Sequence, residues 1–468
     1  MTIRRADLAN RAGPAYRAVA DALAEAIDGG RLAPGDRLPP QRDLAFRLDV
    51  TVGTVGRAYD LLAQRGLVRG EVGRGTYVLG RAPASGPIWG EPTAEAADGL
   101  LDLTANFPAP VPAQAKLGEL LPSGETAVEV LADLLRYPAV AGAARHRAEA
   151  AAWLEGQGLI VADPERLVLT NGAEGGLAAA LLALARPGDL VLAEALCYSG
   201  LRNLAGRLGQ HLEPVAMDGQ GIVPEALAAA ARHRGARALV LSPNLHNPTS
   251  IVMSAERREA IAEASRELDL LLIEDDVYGP LVPDRPTAFA ALVPERTLYL
   301  SSVSKFLAPG LRLGFLHGPA DLVREATAAQ RELSLGHAPL AAELFARAHR
   351  AGVVAEALGQ QRAEMVERQK LAVALLAGLD TRAQPTALHV WLALPDRWTS
   401  AEAALAIARA GVLVAPSERF FVGRGAAPRA VRVSLSAPPT RPHLRGALQR
   451  IAGVLARAAD AGGTGSLV

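Results

Sequence analysis

The chain has 468 residues, of which 50% are hydrophobic and 21% are charged, a composition typical of folded globular proteins. This length allows roughly three domains, with cores large enough to need no disulfides. The single cysteine, Cys197, excludes a disulfide framework and a thiolate metal cluster. The N-terminus is polar and the longest apolar run has ten residues (176–185), which argues against a secretory signal and a membrane span. We therefore expect a soluble, cytoplasmic protein.

Charge is balanced overall but unevenly distributed. Residues 1–80 contain 12 arginines and 9 acidic residues, whereas the remainder carries the opposite excess. This mild asymmetry alone does not predict nucleic-acid binding. Lysine is more informative, because only three of the 49 basic residues are lysines: Lys116, Lys305 and Lys370. A lysine that persists in such a composition calls for a specific chemical reason.

The sequence predicts two folded parts. A first unit ends near residue 80, and residues 81–99, rich in Pro, Gly, Ala and Ser, read as a linker. From residue 100, apolar strands such as RLVLT and ALVLSP alternate with alanine-rich helices, which predicts an α/β domain with a mostly parallel sheet. We expect this domain at 100–458, with a large part at about 136–320 and a small α+β part at about 100–135 and 321–458. The tail, 459–468, is predicted to be flexible.

The first unit has the pattern of a winged helix-turn-helix. Apolar residues at helical spacing predict a helix over 14–29, and Pro40 suits the first turn of a second helix. Thr51 is the expected N-cap of a third helix, and residues 67–79 form a predicted hairpin around a glycine-rich tip. Three helices with a tight second turn and a following hairpin are typical of this DNA-binding motif. A protein-binding three-helix module is the alternative.

The third helix carries the side chains expected to meet DNA. Val55, Ala58, Tyr59 and Leu62 predict its buried stripe, which leaves Thr54 and Arg57 on the other face. Small and polar side chains at the start of a recognition helix suit the major groove, as do Thr51, Gly53, Thr54 and Arg57.

Residues 30–78 resemble the DNA-binding domain of the GntR family along nearly their whole length. The resemblance implies that Arg37 and Arg42 contact phosphates and that Arg74, at the wing tip, reaches the minor groove. It further implies that Thr51, Thr54 and Arg57 lie in or beside the major groove. Val52 departs from the family pattern, which often has arginine there, so an apolar contact with a thymine methyl could replace a base-reading contact.

Lys305 is the first candidate for chemistry in the second unit. It follows the strand TLYL within SSVSKFLAPGLRLG. Desolvation among apolar residues keeps part of a lysine as the neutral amine, the form that attacks a carbonyl to make an imine. Two nearby hydroxyls and a guanidinium, from Ser302, Ser304 and Arg312, suit a phosphate. An ordinary surface lysine is the alternative.

Further candidates follow other predicted strands. Asp275 ends LDLLLIED, where a carboxylate could keep a pyridinium nitrogen protonated, and Tyr278 could bond a ring oxygen. A metal site formed by residues 274–276 is the alternative. Asn247 precedes a proline after another strand, and Tyr198 could stack on a planar ring. The turn NGAEGG (171–176) offers backbone N–H groups to an anion at a helix start.

Together these segments resemble the class I aminotransferases, the fold-type I enzymes that use pyridoxal 5'-phosphate (PLP), over about residues 100–455. The resemblance implies that Lys305 forms the internal aldimine and that Asp275 pairs with the pyridine nitrogen. Asn247 and Tyr278 would bond the phenolic oxygen, and Tyr198 would stack on the ring. The phosphate would be held by Gly172, Ala173, Ser302, Ser304 and Arg312.

The same resemblance assigns two residues outside this set. Arg432, in VRVSLS, matches the arginine that takes an amino acid's α-carboxylate, although a plain strand arginine is the alternative. Tyr137 matches a tyrosine that reaches the phosphate of a neighbouring subunit, which implies a homodimer. Ser250, where glycine is usual, and Glu174–Gly176 depart from the family pattern, and leave catalysis and substrate choice open.

A GntR-type domain joined to an aminotransferase-like domain resembles the MocR subfamily of bacterial regulators. This implies a dimeric regulator that binds an operator in double-stranded DNA and senses PLP and an amino acid or amine effector. The alternative is a working amino-acid aminotransferase that carries a DNA-binding domain. No metal site is expected.

Overall fold

The computed structural model describes residues 14–28, 31–32, 36–64, 67–71, 75–78, 100–158, 163–423 and 426–460. The chain divides into two compact units, Met1–Pro92 and Thr93–Val468. The predicted linker (81–99) and residues 461–468 of the predicted tail lie outside the described residues. The domain limits expected from the sequence therefore stay predictions.

The first unit is a three-helix fold with a β-hairpin. Its elements are α1 (Ala15–Asp28), α2 (Gln41–Leu48), α3 (Val52–Gln64), β1 (Val68–Glu71) and β2 (Gly75–Val78). The two strands pair antiparallel, and all three helices and the hairpin share one apolar core. The predicted winged helix-turn-helix is confirmed. Pro40 lies directly before α2 rather than inside its first turn, because its carbonyl accepts the first helical hydrogen bond, from the Leu44 N–H.

The turn between α2 and α3 is tight because two residues take special roles. Asp49 adopts a left-handed conformation with φ 54°, which reverses the chain after α2. The Thr51 hydroxyl then accepts a 3.1 Å hydrogen bond from the Thr54 N–H, so Thr51 caps α3 as predicted. The stripe predicted to be buried on α3 is buried.

The second unit contains a large sheet, smaller sheets and covering helices. Its strands are β3 (Leu101–Asp102), β4 (Leu167–Asn171), β5 (Leu190–Glu194), β6 (His211–Val215), β7 (Met217–Asp218), β8 (Gly221–Ile222), β9 (Ala238–Leu241), β10 (Leu271–Asp275), β11 (Thr297–Ser302), β12 (Leu313–His317), β13 (Thr381–Arg382), β14 (His389–Ala393), β15 (Val412–Leu413), β16 (Ala415–Pro416) and β17 (Ala430–Ser434). Its helices are α4 (Gly124–Leu134), α5 (Ala144–Gly156), α6 (Gly172–Leu184), α7 (Ser199–Arg207), α8 (Pro224–Arg234), α9 (Ala255–Glu267), α10 (Phe289–Leu292), α11 (Ala320–Ser334), α12 (Pro339–Arg350), α13 (Val353–Leu375), α14 (Ser400–Arg409) and α15 (Arg441–Asp460).

The large sheet is mostly parallel, as predicted. Its strand order is β4-β12-β11-β10-β9-β5-β6, and β12 is antiparallel to both of its neighbours. The parallel strands are nearly continuous apolar runs because helices cover both faces of such sheets. The carboxyl ends of the parallel strands and the start of β12 therefore meet at one edge.

A smaller antiparallel sheet, in the order β13-β14-β17-β16, lies toward the end of the chain. The early strand β3 pairs in parallel with β15, so residues just after position 100 return to the C-terminal part of this unit. Within the described residues, no helix is both long and apolar enough to cross a membrane.

Candidate cofactor site and DNA interface

The chemistry-bearing side chains of the second unit collect at the carboxyl edge of the large sheet. This is the edge at which open α/β sheets bind ligands. Gly172 follows β4, Tyr198 follows β5, Asn247 follows β9 and Asp275 ends β10. The remaining residues of this edge, which lie at the end of β11, after it or directly before β12, are Ser302, Ser304, Lys305 and Arg312.

Asp275 has a carboxyl group with an unsatisfied oxygen. Its Oδ1 is buried and has no hydrogen-bond partner within the described structure. Burial raises the pKa of Asp275 to about 7, partly offset by a hydrogen bond from the Val277 N–H and by the positive charge of Lys305. A cationic N–H group from a ligand would supply the missing partner, and a protonated pyridine nitrogen is such a group.

The neighbouring acids are already engaged by the protein. Glu274 accepts hydrogen bonds from the N–H groups of Phe289 and Ala290 at the start of α10. Asp276 binds Arg285 and accepts a 2.8 Å hydrogen bond from the Tyr299 hydroxyl. The described residues contain no group of three or more His, Cys, Asp or Glu side chains arranged to hold a metal ion.

Lys305 lies in the same site as Asp275. Its Nζ donates a 3.1 Å hydrogen bond to the backbone carbonyl of Asn106 and lies 5.7 Å from the centre of the Tyr278 ring. The side chain is partly buried, and its charge acts on both Asp275 and His389. The primary amine and the unsatisfied carboxyl oxygen therefore belong to one site, as an aldehyde cofactor with a pyridine ring requires.

Tyr278 is buried, and its hydroxyl accepts a 3.0 Å hydrogen bond from the Asn106 side chain. Asn106 also bonds the ring of His389 at 2.9 Å. Sequence reasoning missed both partners. Asn106 lies in an unremarkable stretch, TANFPAP, and His389 is the first residue of β14 in an apolar strand.

Asn247 and Arg432 contact each other directly, which the sequence alone did not predict. An Arg432 Nη1 hydrogen donates to Asn247 Oδ1 at 2.6 Å, and Nη2 donates to the Thr104 carbonyl. The guanidinium lies 4.9 Å from the centre of the Phe420 ring. Burial lowers the pKa of Arg432 to about 10, so the group stays cationic at neutral pH. Its Nε is buried and unpartnered among the described residues.

Tyr198 occupies the position before α7, where its hydroxyl donates a 3.0 Å hydrogen bond to Glu174 Oε2. Burial and the negative charge of Glu174 raise the pKa of Tyr198, which keeps the phenol neutral. Asp275 is near enough to Tyr198 to contribute to the same rise in its pKa. Glu174, one of the departures from the family pattern, thus fixes the direction of the ring.

The residues predicted to hold phosphate also meet. Gly172 begins α6 with φ 71°, and a Cβ there would lie 2.6 Å from Arg312 Nη2, so only glycine admits the guanidinium. No side chain caps α6, which leaves its first N–H groups for an anion. Ser302 is buried and accepts from the Ser304 N–H, while Ser304 Oγ is buried without a described partner. Ala173 is the second residue of α6.

Tyr137 is not part of this cluster within one chain. Its side chain is 86% exposed, on a surface that also carries exposed apolar residues of α4 and its flanks. These are Leu121, Val128, Leu131, Leu134 and Leu135.

The first unit presents the predicted DNA-binding residues at the surface around the start of α3. Thr51 and Arg57 are exposed, and Thr51 Oγ1 lies 2.8 Å from Thr54 Oγ1. The Arg57 guanidinium lies 5.7 Å from the centre of the Tyr16 ring. Arg42 is exposed on α2.

Arg37 and the wing complete this surface. Arg37 is exposed and packs over Gly75 at the start of β2, where a Cβ would lie 2.6 Å from its Nε. Val52 is exposed at the first position of α3, so its side chain is available for the apolar contact with a thymine methyl suggested by the sequence. Arg74 lies outside the described residues.

Comparisons with known proteins agree with both parts. Residues 103–451 match the family described as aminotransferase class I and II, and residues 15–78 match the bacterial regulatory proteins of the gntR family. YdeF of Bacillus subtilis, described as an uncharacterized HTH-type transcriptional regulator, is 32% identical over 91% of each chain. PtsJ of Salmonella typhimurium, described as a vitamin B6 salvage pathway transcriptional repressor, is 30% identical over 65% of this chain and 67% of its own. The crystal structure of an archaeal alanine:glyoxylate aminotransferase is 25% identical with a TM-score of 0.69, covering 76% of this chain and 91% of the other.

Fold and site define a DNA-binding protein with an aminotransferase-like second domain. The chain belongs to the MocR subfamily of the GntR family, and it is a transcriptional regulator whose second domain is of aminotransferase class I and II. Its cofactor is PLP. The residues present fit that group, since the unsatisfied Asp275 oxygen, the Lys305 amine and the uncapped start of α6 match its ring nitrogen, aldehyde and phosphate.

Proposed function

We propose that this chain regulates transcription by sensing PLP together with an amino compound, as a homodimer bound to an operator. The observation that carries the proposal is the unsatisfied, buried Asp275 oxygen in the same site as the Lys305 amine, in a chain whose other unit is a winged helix-turn-helix. When bound, PLP supplies an aldehyde that reacts with primary amines.

In this proposal, the residues of the sheet edge bind different parts of the cofactor. Asp275 holds a proton on the ring nitrogen, and Tyr278 and Asn247 bond the phenolic oxygen. Tyr198 stacks on the ring, directed by its bond to Glu174. The start of α6 at Gly172 and Ala173 binds the phosphate with help from Ser302, Ser304 and Arg312.

The effector is proposed to be an α-amino acid, or another amine that can replace Lys305. Arg432 is buried yet cationic, and its planar guanidinium can hold a carboxylate with two parallel hydrogen bonds. A ligand shifts a protein between conformations only through its differential affinity for them. Binding that alters contacts at this site could in that way change DNA affinity.

Lys305 offers the most direct test. The purified protein loaded with PLP is expected to be yellow. Lys305→Ala is expected to lose the visible absorption band, and borohydride reduction should no longer attach the cofactor permanently to the protein. Lys370→Ala is the matched control, because Lys370 is exposed and pairs with Glu367. A colourless wild-type protein that does not take up PLP would contradict the proposal.

A working aminotransferase is the second candidate, because the resemblance gives Lys305, Asp275 and Arg432 the roles that such an enzyme needs. Repeated turnover of an amino acid with 2-oxoglutarate, at a rate well above that of Lys305→Ala, would favour it. DNA footprints that change with PLP and amino acids in the absence of turnover would favour the regulator.

A further inference from the structure

A chain of three hydrogen bonds ends on the hydroxyl of Tyr278. It begins at the backbone carbonyl of His246, which lies 3.3 Å from His389 Nε2. His389 Nδ1 lies 2.9 Å from Asn106 Nδ2, and the same Nδ2 lies 3.0 Å from the Tyr278 oxygen. His389 and Asn106 are both more than nine-tenths buried.

The chemistry of these groups fixes the direction of each bond. A carbonyl can only accept, so His389 Nε2 must carry the proton, and the neutral ring then presents a lone pair at Nδ1. Asn106 must therefore offer an N–H to His389. Its second N–H points to the Tyr278 oxygen, which accepts it. The Tyr278 O–H is thereby left to donate in another direction.

His389 keeps this arrangement because its ring stays neutral. Burial lowers the pKa of His389 well below its ordinary value, and the positive charges of Arg432 and Lys305 act in the same direction. Only the bond to the His246 carbonyl opposes them. The tautomer, and with it the amide orientation of Asn106, is thus held constant at neutral pH.

We propose that Asn106 and His389 are positioning residues that make Tyr278 a dedicated hydrogen-bond donor to the phenolic oxygen of PLP. The inference rests on the proposed function, since it places the cofactor in this site. Asn106 is well located for this role, because its backbone carbonyl accepts from Lys305 Nζ while its side chain directs the phenol.

The test is a pH titration of the absorption spectrum of the PLP-loaded protein, with the dissociation constant for PLP as a second measurement. A hydrogen bond from Tyr278 draws electron density from the phenolic oxygen, so the lysine-bound cofactor loses its proton at a lower pH. Tyr278→Phe should raise the spectral midpoint by about half to one pH unit, from the usual net strength of one hydrogen bond. Asn106→Leu should raise it in the same direction by a smaller amount.

A double-mutant cycle separates a positioning role from a structural one. In the Tyr278→Phe background, Asn106→Leu should add no further shift, because the hydroxyl that it directs is gone. His389→Asn retains an acceptor near the place of Nδ1 and should preserve the wild-type midpoint, whereas His389→Gln places its amide elsewhere and should resemble Asn106→Leu. Ser250→Ala is the control, since the Ser250 hydroxyl donates to the His389 backbone carbonyl and not to the ring, and the substitution keeps the Ser250 N–H that donates to the His246 carbonyl.

The outcomes distinguish the two proposals. A wild-type protein that does not bind PLP overturns the proposed function and this inference with it. If PLP binds but Asn106→Leu leaves the midpoint unchanged, or shifts it equally with and without the Tyr278 hydroxyl, only the positioning role is overturned. If Asn106→Leu does not fold, the comparison of His389→Asn with His389→Gln decides, and equal midpoints for that pair count against the inference.

Discussion

Asp275 has a buried carboxyl whose pKa, about 7, makes the stability of the PLP-free protein depend on pH. Between about pH 4 and pH 7 the folded protein retains a proton that the unfolded chain has released, so stability falls as pH rises. Each pKa unit corresponds to about 1.4 kcal/mol, an upper guide to the size of this decline. Asp275→Asn should remove the decline that Asp275 causes.

This expectation is measured by urea unfolding of the PLP-free wild type and Asp275→Asn at about pH 5 and about pH 7.5. The wild type should lose more stability between the two conditions than the variant does. Glu274, whose pKa burial also raises to about 7, is present in both proteins and cancels in the comparison. An identical pH dependence would count against a raised pKa of Asp275 in the folded protein.

Arg432 is predicted to anchor the carboxylate of an amino-acid effector. Arg432→Ala should leave basal DNA binding near normal but abolish the amino-acid-dependent changes in absorbance and DNA affinity. Arg432→Lys should rescue poorly, because a point charge cannot reproduce the planar fork. Titration of PLP-loaded protein with amino acids measures both effects. A full response from the alanine variant would point instead to a simple amine, or to PLP alone.

At the scale of single residues, the sequence located the candidate side chains at the sheet edge better than the residues that hydrogen-bond to them. Lys305 and Asp275 were singled out because each lies at or just after a strand end, and Lys305 is also one of only three lysines. Asn106 and His389 were not, since their contact joins positions 283 residues apart and depends on the fold. Glu174 was noted only as a departure, although it bonds Tyr198.

At the scale of elements, strong periodic patterns in the sequence were sufficient to predict the main strands and helices. The apolar runs of β9 and β11 predicted buried strands, and the stripe of α3 predicted its buried face. The two-residue strands β3 and β15 carry too little pattern to be recognised. Their pairing exists because distant parts of the chain fold together.

The start of α3 is the element on which DNA recognition is predicted to depend. Arg57→Ala should weaken specific operator binding by about 1–3 kcal/mol, and binding to random duplex less, if the guanidinium reads a base. Arg42 is exposed on α2, and Arg42→Ala serves as the comparison. It should weaken binding to operator and to random duplex equally. It should also reduce the slope of log affinity against log salt concentration by about one. Binding titrations over a range of salt concentrations measure both. Equal losses for Arg57→Ala on the two duplexes would make it a phosphate contact.

At the scale of the whole molecule, the exposed apolar residues around α4 favour self-association. Groups of exposed apolar side chains commonly mark protein–protein interfaces. Leu135 is 77% exposed beside Tyr137, the residue predicted to reach the phosphate of a neighbouring subunit. Burying this surface against a second copy would cover the leucines and place each tyrosine near the other chain.

Leu135→Asp should therefore shift the protein from a species of about twice 48.8 kDa toward a single chain, as measured by sedimentation equilibrium. A charge buried in an apolar interface is costly unless it is paired, so the loss should be large. PLP affinity should fall at the same time, because the partner's tyrosine no longer reaches the phosphate, and operator affinity should fall because two half-sites are no longer bound together. Val373→Asp, at another exposed apolar position, on α13, is the control and should change none of these. A wild-type protein that sediments as a single chain, or a Leu135→Asp protein that stays dimeric, would place the interface elsewhere or exclude it.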